Sequence, residues 1–96
     1  MLTSKQKSYL KSLGSNMDSI VQIGKGGVSL TVVESAQAAL TARELIKVRI
    51  LQNSLIEPKD AVAELAEQTG AELVQVIGRN GLLYKHNPQK PRIELP

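Results

Sequence analysis

The sequence predicts a two-layer α+β fold, in which helices cover mainly one face of a mixed four-stranded sheet. Three observations lead to this class. Apolar residues recur at helical spacing in three segments, the segment Arg43–Leu51 alternates between apolar and mainly basic side chains, and an Asn-Gly pair separates two apolar runs near the C-terminus. The elements follow the order α-β-α-β-α-β-β. A strand, a helix and a strand in succession predict two parallel strands joined by a right-handed crossover.

The composition limits the chemistry that the chain can perform. Its 96 residues, 42% of them hydrophobic, with a mean hydropathy of −0.11, are typical of a single small globular domain. The chain has no Cys, Phe or Trp, which excludes disulfides and leaves few aromatic rings on which single-stranded bases could stack. No apolar run approaches the roughly 20 residues that span a bilayer. We therefore predict no signal peptide and no membrane helix, and we expect a cytoplasmic protein.

Positive charge is concentrated in the first part of the chain. The net charge is +3, and residues 1–56 carry seven Lys or Arg against three Asp or Glu, whereas residues 57–96 carry five against six. This asymmetry favours a basic face for nucleic acid. A charge pattern that serves only solubility is the alternative interpretation.

The first helix is predicted from Thr3 or Ser4, either of which can cap it, to about Leu13, with Gly14 closing it. Its predicted inner side contains Leu2, Gln6, Tyr9, Leu10 and Leu13.

The lysines of this helix are predicted to lie away from that side or, for Lys5, at its margin. Lys7 and Lys11 are four residues apart, a spacing at which like charges destabilise an isolated helix. A bound anion explains this spacing, and so does a solvated lysine-rich face.

A glycine-rich loop, Gly24-Lys25-Gly26-Gly27, follows a predicted strand over Ser19–Ile23. Three glycines in four positions indicate a loop that needs positive φ or the close approach of another molecule. Lys25, together with a helix that Ser29 can cap, favours an anion such as a phosphate backbone. The spacing does not match a Walker A or a dinucleotide-binding loop, and the nearest analogue is the Gly-x-x-Gly loop of the KH fold. A purely steric turn is the alternative.

The second helix is predicted from about Leu30 to Leu40, and the second strand over Arg43–Leu51. The buried stripe of the helix is predicted to contain Leu30, Val33, Ala36 and Leu40. In the strand, Ile46, Val48 and Ile50 alternate with Leu45, Lys47 and Arg49. This alternation predicts a sheet covered by helices on one side only, whose polar face carries Gln22, Lys47 and Arg49.

The third helix is predicted to open at Glu57-Pro58 and to end at Gly70. Its inward residues are predicted to be Val62, Leu65, Ala66 and Thr69, with Glu64 and Glu67 facing water. A strand over Leu73–Ile77 and a tight hairpin with an Asn80-Gly81 signature then lead into Leu82–Lys85, which places Arg79 at an exposed turn. Residues 86–96 are predicted to form an irregular tail of the same single domain, 1–96.

The order of elements, with Ile23–Val28 after the first strand and Glu44–Val48 in the second, resembles the CRM domain in its stand-alone bacterial, YhbY-like form. The resemblance extends to about Lys85. It implies a fold related to the C-terminal domain of bacterial initiation factor three and an RNA-binding module that accompanies the precursor of the large ribosomal subunit during assembly. It also implies that Gly24, Lys25, Gly26 and Gly27 contact the RNA backbone.

We therefore expect a protein that binds structured RNA, with ribosomal RNA as the expected partner, and that acts as a monomer. The other candidate RNA-binding residues are Lys5, Lys7, Lys11, Lys47, Arg49 and Arg79. We expect no enzymatic activity, no cofactor and no metal, since the lone His86 has no second His or Cys to share a ligand set. The alternative functions are a binder of a phosphorylated small molecule at the glycine loop and a protein-interaction adaptor that uses Glu64 and Glu67.

Overall fold

The computed structural model describes residues 2–96, and within them the elements follow the predicted order, which confirms the α+β class. The helices and strands are α1 Ser4–Gly14, β1 Val21–Ile23, α2 Leu30–Arg43, β2 Leu45–Ile50, α3 Pro58–Thr69, β3 Glu72–Ile77 and β4 Asn80–Tyr84. The strands form a single sheet in the order β1-β2-β4-β3. β1 and β2 are parallel, as predicted, and the other two pairs are antiparallel.

The larger core lies between one face of the sheet and the helices α2 and α3. The alternation along β2 has the predicted orientation, because Ile46, Val48 and Ile50 are all fully buried on this side. The inward side of α3 is also as predicted, with Val62, Leu65, Ala66 and Thr69 buried. Helix α3 begins at Pro58 and is followed by Gly70 at φ 72°, in agreement with both boundary signals.

Helix α1 packs on the opposite face of the sheet, so the expectation of helices on one side only is wrong for this helix. A second, smaller core contains Leu10, Leu45, Val74, Leu82 and Tyr84, and Ile93 and Leu95 of the C-terminal segment pack against it. The face of β2 that was predicted to be polar is thus covered at its start and open at its end. Leu45 is buried, Lys47 is half-buried and Arg49 is exposed.

The buried side of α1 is rotated from the predicted one. Leu10 and Gly14 are buried, whereas Tyr9 and Leu13 are 39% and 37% exposed. A Cβ on Gly14 would lie 2.5 Å from Cδ1 of Leu82, so the absence of a side chain lets the helix approach β4 this closely. Gly14 is the last helical residue, and its role is close packing rather than the left-handed closure that its position suggested.

The β3–β4 hairpin turns at Gly78 and Arg79, not at Asn80 and Gly81. Ile77 pairs with Asn80, and only the first turn residue has positive φ (57° at Gly78), which is typical of a type II′ turn. Gly81 is buried within β4, where a Cβ would lie 2.7 Å from Cγ2 of Val62 on α3. Arg79 is exposed at the turn, as predicted.

The start of α2 also departs from the prediction. Leu30, predicted to belong to the buried stripe, is 74% exposed, whereas Ala36 and Leu40 are buried and Val33 is half-buried. Leu30 is the first helical residue after the cap Ser29, and the helix first meets the core one turn later.

A buried carboxylate fastens the C-terminal segment to the sheet. Glu44, at the end of α2, is fully buried and has the unusual φ of 65°. One of its carboxylate oxygens accepts hydrogen bonds from the backbone N–H groups of Arg92 (2.6 Å) and Ile93 (2.7 Å). The other oxygen accepts one from the N–H of Asn87 (2.7 Å) and lies 3.0 Å from Nδ1 of His86.

These contacts determine the charge state of the carboxyl group. Burial opposes ionisation of Glu44, but the hydrogen bonds from Asn87, Arg92, Ile93 and His86 outweigh it, and the pKa of this carboxyl lies below its usual value. Burial, together with the nearby Glu44 charge, raises the pKa of Tyr84. Glu44 is therefore ionised at neutral pH although it is inaccessible to water.

Candidate nucleic-acid interface

The glycine-rich loop is a tight turn that presents backbone N–H groups to solvent. The N–H of Gly27 donates to the carbonyl of Gly24 at 3.0 Å, and Ser29 caps α2 by accepting a hydrogen bond from the N–H of Val32 at 3.3 Å. Within residues 2–96, the N–H groups of Lys25 and Gly26 have no hydrogen-bond partner, and both residues are exposed. These two N–H groups are therefore available as hydrogen-bond donors to an anion.

Two glycines of this loop have different roles. Positive φ occurs at Gly27 (69°), where a Cβ would also lie 3.2 Å from Cδ1 of Ile56. At Gly26, φ is not positive, and a Cβ would have no heavy atom within 4 Å. The fold thus requires glycine at position 27 only, while position 26 leaves a surface that another molecule can approach closely.

Four cations line two adjoining depressions on the open part of the second sheet face, which share Lys47 and Asn80 and which we together call the basic groove. Lys11 of α1 and Lys47 of β2 line one end of it, next to Asn80. Lys47, Arg49 and Arg79 line the other end, also next to Asn80. The four cations come from three elements: Lys11 from α1, Lys47 and Arg49 from β2, and Arg79 from the β3–β4 turn.

The strand register places this groove toward the same end of the sheet as the glycine-rich loop. Gln22 pairs with Arg49, and Arg49 pairs with Asn80, so the three form a row across β1, β2 and β4. The loop begins one residue after β1 ends at Ile23, at the same end of the sheet. Arg79 is fixed there by a 3.1 Å hydrogen bond from its guanidinium to the carbonyl of Leu51.

The charges of the groove are not neutralised by the chain itself. Within residues 2–96, Lys11, Lys47 and Arg49 make neither a hydrogen bond nor an ion pair through their side chains. Asp18 lines the same groove but forms no ion pair with these cations. The groove therefore offers uncompensated positive charge to an anionic partner.

The remaining predicted lysines are not part of the groove. Lys7 is half-buried on α1, one turn before Lys11, and Lys5 is exposed on the first turn. Asn80 and Gln75 line the groove but were not singled out from the sequence. A register shift between Leu73 and Gln75 pairs Gln75 with Leu82, so Gln75 lies on the same face as Val74. Strict alternation along β3 would have placed it on the other face.

Neither a metal site nor a membrane-spanning helix is found in the part of the chain that the structure describes. Between residues 2 and 96, no three His, Asp or Glu side chains are grouped so that they could hold a metal ion. Over the same residues, every helix is too short or too polar to cross a bilayer.

The fold and the groove together define a small α+β module with a basic face. The chain belongs to the CRS1/YhbY (CRM) domain family, whose model matches residues 2–85, and the resemblance inferred from the sequence is confirmed.

Two relatives extend the match to nearly the whole chain. It is 43% identical to the "Probable RNA-binding protein YqeI" of Bacillus subtilis over 96 residues, which cover all of both chains. It is 32% identical over 88 residues to the "Probable RNA-binding protein PA4753" of Pseudomonas aeruginosa, covering 92% of this chain and 85% of that protein. The solution structure of the hypothetical protein SAV1595 from Staphylococcus aureus has a TM-score of 0.84, with 47% identity and full coverage of both chains.

Proposed function

We propose that this protein binds structured RNA through the loop Gly24–Gly27 and the basic groove, and that it does so without catalysing a reaction. The observation that carries the proposal is the group of cations Lys11, Lys47, Arg49 and Arg79 in one groove, toward the end of the sheet at which a loop with free backbone N–H groups follows β1. The names of the relatives YqeI and PA4753, as probable RNA-binding proteins, support RNA as the anion.

The composition of the groove indicates how RNA is held. Tyr84 is buried, and Tyr9 lies on the exposed side of α1, outside the groove. Without an aromatic platform for unstacked bases, the contacts go to the phosphate backbone, and the shape of a folded RNA directs the binding.

We further propose that the RNA is ribosomal RNA within the precursor of the large ribosomal subunit, and that the protein assists assembly as a cytoplasmic monomer. The resemblance of the chain to the stand-alone bacterial CRM form supports this role. Sedimentation with ribosomal particles at low and high salt tests it. We expect cosedimentation with precursor large subunits that high salt abolishes. Failure to cosediment, despite RNA binding, would contradict the ribosomal role. Cosedimentation that persists at high salt would instead favour a contact with a ribosomal protein, for example through the face that carries Glu64 and Glu67.

Binding to a structured RNA fragment is expected to weaken steeply as salt increases. Each neutralised phosphate contributes a log–log slope of roughly −0.7 to −0.9, so about four to six contacts from the loop and groove give a slope of about −3 to −5. Fluorescence anisotropy with a labelled ribosomal RNA fragment, titrated at several salt concentrations, measures this slope. A slope near zero would remove the electrostatic basis of the proposal.

Variants of the loop separate its binding role from its folding role. Lys25→Ala is expected to weaken RNA binding by about 1 kcal/mol, or roughly fivefold, with little change in Tm. Gly26→Val is expected to weaken binding further, because its side chain occupies the surface that the RNA backbone approaches. Since a Cβ at position 26 meets no other atom, this variant should melt close to the wild type. Gel shifts at fixed salt and thermal melts measure the two effects.

Gly27→Val is the matched control for this pair. It forces a β-branched residue into positive φ and against Ile56, so it should lose roughly 1–3 kcal/mol of folding free energy. If Gly26→Val melts like the wild type and binds RNA equally well, the loop is an ordinary turn and not part of the interface.

A further inference from the structure

Some amide side chains within residues 2–96 make hydrogen bonds, and others, in the basic groove and elsewhere on the surface, make none. Gln6, Gln37, Gln68 and Asn87 make side-chain hydrogen bonds that hold the fold together. The amides on or beside the basic groove make no such bond within residues 2–96; they are Gln22, Gln52, Gln75 and Asn80. Neutral hydrogen-bonding groups with both a donor and an acceptor are thus left free on the charged face.

Their placement alternates with that of the cations. Gln22 and Asn80 are the register partners of Arg49 on either side, and all three are exposed. Neighbouring strands are roughly 5 Å apart, and register partners project from the same face of a sheet. Arg49 is therefore flanked by an amide on each side.

The chemistry of the amides differs from that of the cations. A phosphate oxygen only accepts hydrogen bonds, and Lys and Arg suffice for it, whereas an amide both donates and accepts. The ribose 2′-hydroxyl has the same dual character, and it lines the wide, shallow minor groove of an A-form helix next to the phosphates.

We propose that Gln22 and Asn80 hydrogen-bond ribose 2′-hydroxyl groups on either side of a phosphate held by Arg49, so that the protein prefers RNA to DNA. This inference rests on the proposed RNA-binding function. Base edges are the competing target, but the groove has no aromatic residue to hold an unstacked base, and this favours the sugar.

The test compares three hairpins of the same sequence, each with a stem of about 16 base pairs: RNA, 2′-fluoro RNA and DNA. The 2′-fluoro stem keeps the A-form shape but lacks the hydroxyl donor. The wild type is expected to bind RNA most tightly. The double variant Gln22→Ala/Asn80→Ala should lose about 10- to 30-fold in affinity for RNA, corresponding to two hydrogen bonds, and little for the other two stems.

Two control variants show whether the loss of affinity is specific to the amides of the groove. Arg49→Ala should weaken binding to all three stems by a similar factor, since each has phosphates. Gln89→Ala removes an exposed amide of the C-terminal segment that is outside the groove and should change nothing. Thermal melts establish that each variant is folded.

Different results of this experiment would contradict the role of the amides and the proposed RNA-binding function on which it rests. Equal affinity of the wild type for RNA and 2′-fluoro RNA, or an equal loss on all stems for the double variant, would overturn the role of the amides and leave RNA binding standing. Failure of the wild type to bind any stem would overturn the proposed function itself, and the amide inference with it.

Discussion

Glu44→Gln is expected to lower the free energy of unfolding by about 3 kcal/mol and the Tm by roughly 15 °C. The carboxylate accepts hydrogen bonds from the N–H groups of Asn87, Arg92 and Ile93. The glutamine amide has the same size, but its NH₂ group replaces one carboxylate oxygen. A donor then faces the backbone N–H donors, which are left without an acceptor. The loss should therefore greatly exceed that of an ordinary surface substitution.

Glu34→Gln is the matched control, because Glu34 is exposed on the same helix. It should change stability by less than about 0.5 kcal/mol. Urea unfolding followed by circular dichroism measures both variants. Equal stability of the Glu44 variant and the wild type would show that the carboxylate does not hold the C-terminal segment.

The pH dependence of stability provides a second measurement of the same carboxylate. Because the pKa of Glu44 is lower in the folded state than its usual value of 4.5, the stabilisation is fully present above that value. It is lost as the pH falls through the folded pKa. Between pH 7 and pH 3 the wild type should thus lose more stability than Glu44→Gln does.

Val48→Glu is expected to unfold the domain, whereas Arg49→Glu is expected to leave it folded and to reduce RNA binding. The two positions are adjacent on β2 but face opposite sides: Val48 is fully buried against α2 and α3, and Arg49 is exposed in the groove. A carboxylate without a partner in the core costs more than about 4 kcal/mol, enough to abolish a cooperative melt. Reversing the charge of Arg49 should weaken RNA binding by about 2 kcal/mol, some 30-fold.

Circular dichroism and anisotropy with the RNA fragment distinguish the two effects. Unfolding by Arg49→Glu as complete as that by Val48→Glu would contradict the facing of β2. Lys47→Glu does not separate folding from binding as clearly as Arg49→Glu does. Although Lys47 was predicted on the solvated face, it is half-buried beside α1, so its substitution affects both packing and charge.

The parts of the fold that depend on local sequence were predictable. Helix α3 has a proline at its first position, a glycine after its last residue and an amphipathic pattern between them, and all three signals agree with the structure. The facing of β2 followed from strict alternation, since three apolar side chains on one side determine the buried face.

What could not be predicted depends on contacts between distant segments. The rotation of α1 follows from the fit of Gly14 against Leu82, and the position of the hairpin turn follows from the packing of Gly81 under Val62. A glycine in the sequence does not reveal whether it allows positive φ or makes room for a neighbour. The role of Glu44 was hidden for the same reason, since its partners lie more than 40 residues further along the chain.

The same distinction between local sequence and contacts of distant segments applies to the residues of the candidate interface. The Lys47 and Arg49 pair and the glycine-rich loop could be recognised from spacing alone. The proximity of Lys11 required the packing of α1 on the second face, and the proximity of Arg79 required the strand order. Of the free amides next to these cations, only Gln22 could be placed on this face from the alternation of its strand. That the amides are free had no sequence signal, because an amide shows whether it is partnered only in the folded structure.

The hydrogen bonds of Glu44 also limit when the C-terminal segment can dock on the domain during protein synthesis. Ribosomes synthesise a chain from its N-terminus, so the residues of all helices and strands, up to Tyr84, are synthesised before residues 86–93. A nascent chain that ends before Asn87 has a carboxylate at position 44 without the backbone donors that hold it in the folded protein. The three hydrogen bonds that hold the buried carboxylate can therefore form only after residue 93 has left the ribosomal exit tunnel.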